Sequence, residues 1–230
     1  MVDPRIFLVI LLVLSCSPSN ERNISKEIKR PIPESIAPDS ILNSVIDTVA
    51  GHRFAITSTK NGVFIENNKG KLIYKDDTYS PFQEFIDFNG DGHKDILIEY
   101  MTNVPGIKDL LLYDKAEKTF KKVIDLQDYP SAVRIKQSKY YYSYHRSGCA
   151  DSNWDSDLFY IEDYRTVKIG SISGRNCENS GIDDGIYIYS LKNGRKMQVQ
   201  KLPISILRKH ADKWEFIAKY WAQNLKRFEY

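Results

Sequence analysis

The sequence predicts an all-β protein: an antiparallel meander with propeller-like or sandwich character, plus a C-terminal amphipathic helix. Three observations lead there. Short runs of β-branched and aromatic residues recur at roughly ten-residue spacing, with turn chemistry between them. Aromatic residues make up 12% of the chain and include 15 tyrosines, a composition suited to pleated, half-buried surfaces. Asn61-Gly62 and Asn193-Gly194 are hairpin signals, because both residue types tolerate positive φ.

The elements follow in chain order. Ile6 to Leu14 is an unbroken apolar run. As a helix it rises only about 14 Å, less than half a bilayer core, so it fits the apolar centre of a signal peptide rather than a membrane span. Val13-Leu14-Ser15-Cys16 follows at once and resembles the lipobox of bacterial lipoproteins, with Leu14 bulkier than the residue usual there. The resemblance implies cleavage before Cys16, lipidation of its sulfur and a lipid-anchored place in the bacterial cell envelope, at the outer membrane facing the periplasm. Residues 1–15 are then the signal peptide. Residues 16–40, with Pro18, Pro31, Pro33 and Pro38 and no aromatic residue, form the lipidated Cys and a flexible tether. Residues 41–230 make a single β-rich domain.

Within that domain the strand-like runs are Arg53 to Thr57, Val63 to Ile65, Leu72 to Tyr74, Glu84 to Phe88, Ile96 to Tyr100, Leu110 to Tyr113, Phe120 to Ile124, Val133 to Ile135 and Tyr140 to Tyr144. Leu158 to Ile161, Val167 to Ile172, Ile186 to Leu191 and Lys196 to Val199 complete the set. No blade-length repeat is evident. At the C-terminus Trp214, Ile217, Ala218, Trp221, Leu225 and Phe228 keep helical spacing behind Asp212, a candidate N-cap. That stripe is expected to pack the helix onto the sheet. Lys and Arg number 33 against 30 Asp and Glu, a net charge of +3. Charges so balanced make no nucleic-acid footprint.

The sharpest motif is Asp87-Phe88-Asn89-Gly90-Asp91-Gly92-His93-Lys94-Asp95, a D-x-N-x-D-G-x-x-D pattern. Ca²⁺ takes six to eight oxygens from a flexible loop. Alternate residues of a tight loop point oxygens inward, which places Asp87, Asn89 and Asp91 first, third and fifth. Gly92 stands where the chain must turn, His93 offers its backbone carbonyl, and Asp95 comes ninth. The twelfth place is Ile98 rather than a bidentate Glu, and the flanks are strand-like, so this is not an EF-hand. The loop resembles the calcium loops of FG-GAP and VCBS-type repeats. The bland alternative is an acidic turn that binds nothing.

Asp151, Asn153, Asp155 and Asp157 also place oxygens on alternate residues, around Trp154, and read either as a polar loop or as a second metal site. Just before them Tyr144, His145 and Arg146 end a tyrosine-rich run. Rigid aromatic faces beside a cation suit a sugar or protein ligand. A strand with half its tyrosines inward explains the same pattern. Cys149 and Cys177 remain for a disulfide in an oxidising compartment.

No zinc-protease, Walker or dinucleotide motif is present. Gly170-Ser171-Ile172-Ser173-Gly174 resembles a nucleophile elbow only in outline, since its centre is Ile172. The calcium loop, the strand after it and Ser147-Gly148-Cys149 are together similar to small calcium-binding all-β envelope proteins, some of which inhibit lysozyme. The sequence therefore suggests a non-catalytic, Ca²⁺-binding lipoprotein with a protein or glycan ligand. Alternatives are a periplasmic lysozyme inhibitor and a carbohydrate-active hydrolase.

Overall fold

Hairpin after hairpin builds the domain in the computed structural model, which describes residues 41–177, 181 and 183–229. The apolar run, Cys16 and the tether lie outside the described residues. The first sheet holds β1 (Ile41–Val49), β2 (His52–Thr59), β3 (Gly62–Asn67) and β4 (Leu72–Asp76) in sequence order. The second holds β5 (Phe82–Ile86), β6 (Asp95–Glu99), β7 (Lys108–Asp114) and β8 (Thr119–Lys122), again in order. The third comprises β9 (Val133–Arg134), β10 (Tyr140–Tyr142), β11 (His145–Arg146), β12 (Trp154–Glu162), β13 (Arg165–Arg175), β14 (Gly185–Lys192) and β15 (Arg195–Leu202). Its order is β15-β14-β13-β12-β10-β9, with β11 also on β12. All pairings between strands are antiparallel. Among the described residues no barrel closes, and no helix is long and apolar enough to cross a membrane.

Both expected hairpins form, but the first turns at Lys60-Asn61, with Gly62 already paired to Thr59 and Asn61 outside the positive-φ region. Asn193 and Gly194 adopt φ of 48° and 74° between β14 and β15, the pair of positive angles that matches strand twist. Gly62 opens β3 with φ of 133°, and a Cβ there would fall 1.9 Å from the Asp76 carbonyl oxygen. Only glycine lets β4 return so closely.

Side-chain alternation assembles the layers. Phe54, Ile56, Val63 and Ile65 of the first sheet pack on Ile96, Ile98, Leu111, Tyr113 and Phe120 of the second. The other face of the second sheet, Leu97, Leu110 and Leu112, packs with Val123, Leu126 and Tyr129 against Tyr141 and Phe159 of the third. The second sheet is thus covered on both sides, which is why β6 and β7 read as continuous apolar runs instead of alternating.

The far face of the third sheet receives α1 (Lys213–Asn224). Trp154, Leu158, Ile172, Ile186 and Ile188 meet Phe216, Ile217, Tyr220 and Trp221 there. Gly170 and Gly174 make room on β13: a Cβ would sit 3.0 Å from Phe228 at one and 2.2 Å from the Trp154 ring at the other. The Gly-Ser-Ile-Ser-Gly segment is therefore a strand shaped by aromatic rings. Trp221 satisfies its buried N–H by donating to Ser156 Oγ at 2.9 Å. Asp212 caps α1, accepting the N–H of Glu215 at 2.7 Å. The expected stripe holds except at Trp214, which is 50% exposed. Phe216 and Tyr220 fill the core as well.

Asp109 on β7 is fully buried. It accepts from Tyr74 Oη at 3.0 Å, Tyr100 Oη at 2.8 Å, Lys122 Nζ at 2.6 Å and Gln127 Nε2 at 2.8 Å. One carboxylate thus ties β4, β7, β8 and the turn after β8 together. Its removal takes the 2.8 Å acceptor from the buried Tyr100 hydroxyl and the ion pair from Lys122, while Tyr74 keeps Asp76. Asp109→Ala is expected to cost about 3 kcal/mol in urea unfolding, and a loss within error of zero contradicts this account.

Candidate functional site

The Asp87–Asp95 loop joins β5 to β6. Its side chains turn the backbone around themselves, as short polar residues do in such turns. Asp87 accepts the N–H groups of Asp91 and Gly92, both at 3.0 Å. Asn89 accepts from the Asp91 N–H at 2.9 Å, and Asp91 from the His93 N–H at 2.8 Å. Gly90 and Gly92 have φ of 72° and 86°. A Cβ on Gly90 would lie 1.5 Å from an Arg134 guanidinium nitrogen, whereas Gly92 faces open space. Phe88 stacks on Tyr141 with ring centroids 5.1 Å apart, so the loop leans on the third sheet. The His93 ring lies 5.6 Å from Tyr113.

Asp95 behaves differently from its neighbours. It is buried, and its oxygens accept the N–H groups of Phe88 at 3.0 Å, Asn89 at 3.3 Å and Tyr113 at 2.9 Å. Burial pushes its carboxyl up to about 6 against these bonds. Of about four lone-pair positions on a carboxylate, about one is left. Asp91 also lies 3.6 Å from Lys115. Among the described residues no three His, Cys, Asp or Glu side chains converge closely enough to hold a metal ion by themselves. The oxygen-only donor set, with an amide and a backbone carbonyl beside the carboxylates, suits a hard cation such as Ca²⁺ rather than a soft one.

Tyr144, His145, Arg146 and Asp151 come together elsewhere, in a cleft of about 260 Å³ bounded by Val104, Pro105, Ser131 and Trp214. A wider depression of about 340 Å³ lies at Asn43, Phe82, Leu97 and Glu99, but its lining holds no cation and a single aromatic ring. The smaller cleft is therefore the better candidate. The Trp214 and Tyr144 ring centroids are 5.2 Å apart and tilted by 49°. Lys213 Nζ lies 5.2 Å from the Tyr144 ring and 4.7 Å from the Trp214 ring. It also donates to Asp151 Oδ2 at 2.6 Å and to the Asp151 carbonyl at 3.0 Å. Tyr144 Oη donates to Asp151 Oδ1. Burial and the Asp151 charge push the Tyr144 phenol up. Burial also pushes Asp151 up, but Lys213 and Tyr144 outweigh it and hold the carboxyl below the usual range.

The rim beside Asp151 is strained. Gly148, Cys149, Ala150 and Asp151 have φ of 104°, 52°, 47° and 74°. Each non-glycine residue in that region costs about 1–3 kcal/mol, and such strain persists only where the surroundings enforce it. Here the Cys149–Cys177 disulfide, with Cα atoms 6.3 Å apart, and the Lys213–Asp151 bond hold the rim.

The remaining expected site residues are not in the cleft. Asn153 is buried and accepts the Asn176 N–H at 3.0 Å. Trp154 is 1% exposed and packs on Phe216, so it offers no ring to a ligand. Asp155 and Asp157 are on β12, not in a loop. The pleat sends both to the face opposite Trp154, where each meets a cation. Asp155 accepts from Arg175 at 2.8 Å and Ser173 at 2.5 Å, with His145 Nε2 3.7 Å away. Asp157 pairs with Lys168 at 2.7 Å. The alternating oxygens of Asp151–Asp157 are thus split between a turn and one face of a strand and do not meet at one point. Trp214 and Lys213 join the cleft without having been expected there. Trp214 shares a helical face with Trp221, seven residues on, but stands over Tyr144 instead of the sheet core.

The disulfide spans 28 residues, for which loop entropy gives about 3–4 kcal/mol. Replacing Cys149 and Cys177 by Ser is expected to lower unfolding stability by that amount. An unchanged denaturation midpoint contradicts it.

No known family model matches the chain, and no curated protein matches it. Among solved structures, the chain is similar to one described as a Xanthomonas type IV secretion system related protein, with a TM-score of 0.46 and 18% identity. The likeness covers 68% of this chain and 93% of that one.

Proposed function

We propose that the protein is a membrane-anchored, non-catalytic, calcium-binding envelope lipoprotein whose β domain binds a protein or glycan ligand in the Tyr144–Trp214 cleft. The observation that carries this reading is the cleft itself: a half-exposed Trp214, Tyr144 and Arg146 beside a strained, disulfide-held rim. Aromatic rings offer contact area at little entropic cost, and a rim already held in place adds preorganisation. The anchor rests on the Ile6–Leu14 run and Cys16. Palmitate labelling of the expressed full chain tests it, with label expected in the natural sequence and lost in Cys16→Ser.

Calcium would be held by Asp87, Asn89 and Asp91 with the His93 carbonyl, and by the last lone pair of Asp95. Its part is structural: the ion supplies the positive charge that lets these carboxylates share one loop. Binding the native state alone stabilises it by about 2.7 kcal/mol at a hundredfold excess over Kd. Thermal unfolding of the full chain in millimolar Ca²⁺ against chelator is expected to show this gain, and Asp87→Ala to abolish it. Identical curves with and without Ca²⁺ refute the calcium reading.

A carbohydrate-active hydrolase stands as a second reading because of Asp155 and Asp157. Burial pushes both carboxyls up. At Asp155 hydrogen bonds from Ser147 and Ser173 and the Arg175 charge reverse the shift, while Asp157 stays raised despite Lys168. Carboxylates driven apart in this way are a pattern of acid–base pairs. Turnover of peptidoglycan fragments that disappears in Asp157→Ala favours the hydrolase; no turnover by the natural protein is expected. Inhibition of added lysozyme by the natural chain would narrow the binding reading to a lysozyme inhibitor.

A further inference from the structure

We infer that the ligand of the Tyr144–Trp214 cleft is a saccharide carrying a carboxylate, its ring laid on Trp214 and its carboxylate paired with Arg146. This deepens the binding reading and rests on it.

The hydrogen-bonding account of the cleft points to an acceptor. Asp151 has its negative charge answered inside the protein by Tyr144, Lys213 and Arg146. Lys213 is spent in that pairing, and its side chain is only 15% exposed. Arg146 is not spent. Its side chain is 64% exposed, and the ion pair it makes is a 4.0 Å approach of Nε to Asp151. The planar guanidinium fork therefore keeps donors for a ligand, and a carboxylate matches that fork bidentately. Lys213 and Arg146 together bring two positive charges to the single carboxylate of Asp151, an excess that a carboxylate on the ligand offsets.

The walls point to a ring. Trp214 and Tyr144 are in ring contact, 5.2 Å apart at 49°, and Trp214 still leaves half its surface exposed. The flat C–H face of a pyranose can lie against an exposed indole, burying apolar surface without needing a polar partner there. At about 260 Å³ the cleft falls just below the usual range for drug-sized ligands of about 300–1,000 Å³, a scale that suits one sugar unit rather than a folded protein loop. A carboxylated sugar holds its charge and its apolar face at a set separation, so little freedom is lost when Arg146 and Trp214 engage together.

Ligand-observed saturation-transfer NMR on the detergent-solubilised full chain tests this, with D-glucuronate and D-glucose as probes. Glucuronate is expected to bind about tenfold tighter, the ratio that one charge-assisted hydrogen bond supplies. Arg146→Ala should erase the preference and leave glucose unchanged, while Trp214→Ala should weaken both. Both side chains are largely exposed, and matching circular dichroism spectra would show that the variants fold. Equal affinity for the two sugars, or a preference that survives Arg146→Ala, overturns the inference. So does the absence of any saccharide signal. In that case, capture of a protein from envelope extract that is lost in Trp214→Ala would keep the cleft as a binding site with a protein ligand. Failure of that capture as well would remove the binding reading itself.

Discussion

The second sheet is covered on both faces, and a fully buried carboxylate stands toward each end of its central strand pair. Asp109 collects Tyr74, Tyr100, Lys122 and Gln127. Asp95 collects the N–H groups of Phe88, Asn89 and Tyr113. Strands buried on both sides leave no wet face for polar groups, so a carboxylate in such a sheet needs partners within the protein. Asp109 draws the first sheet and the turn after β8 onto the second. Asp95 draws the Asp87–Asp95 loop onto it.

The same loop touches the third sheet. Phe88 stacks on Tyr141, and the Arg134 guanidinium closes over Gly90. Tyr141 on β10 comes just three residues before Tyr144, so the loop and the cleft are joined by a short stretch of one chain. Order in the loop therefore bears on the strand that leads into the cleft. On the other side the cleft depends on α1, whose first turn supplies Lys213 and Trp214. Its third support is the disulfide. A rim with successive residues at positive φ would relax without the Cys149–Cys177 bond on one flank and Lys213 on the other.

The third sheet also shows why burial alone does not define a site. Where the second sheet covers it, its face carries Phe159 and Tyr141. Beyond that cover, the same face carries Asp155 and Asp157, paired with Arg175 and Lys168, and beside them Ser171 and Ser173. Polar and apolar residues thus share one pleated surface, sorted by what lies above them.

The sequence by itself determined the all-β class, the two Asn-Gly hairpins, the capped C-terminal helix and the Asp87–Asp95 loop. These depend on local rules: side-chain period, residues that accept positive φ, and acceptors two to five residues from the amides they bind. It also showed β6 and β7 as apolar runs, though not that sheets lie on both sides of them. It hid β1, where Asn43, Ser44, Asp47 and Thr48 break the apolar texture, and it showed Asp155 and Asp157 as loop residues. In both cases pairing with a neighbouring strand, β2 or β13, decided the outcome. The cleft was half legible: Tyr144, His145, Arg146 and Asp151 are close in sequence, whereas Trp214 and Lys213 arrive from more than sixty residues away. Only the tertiary structure decided that Trp154 is core and Trp214 is surface, because whether an aromatic ring is covered depends on the layer that ends above it.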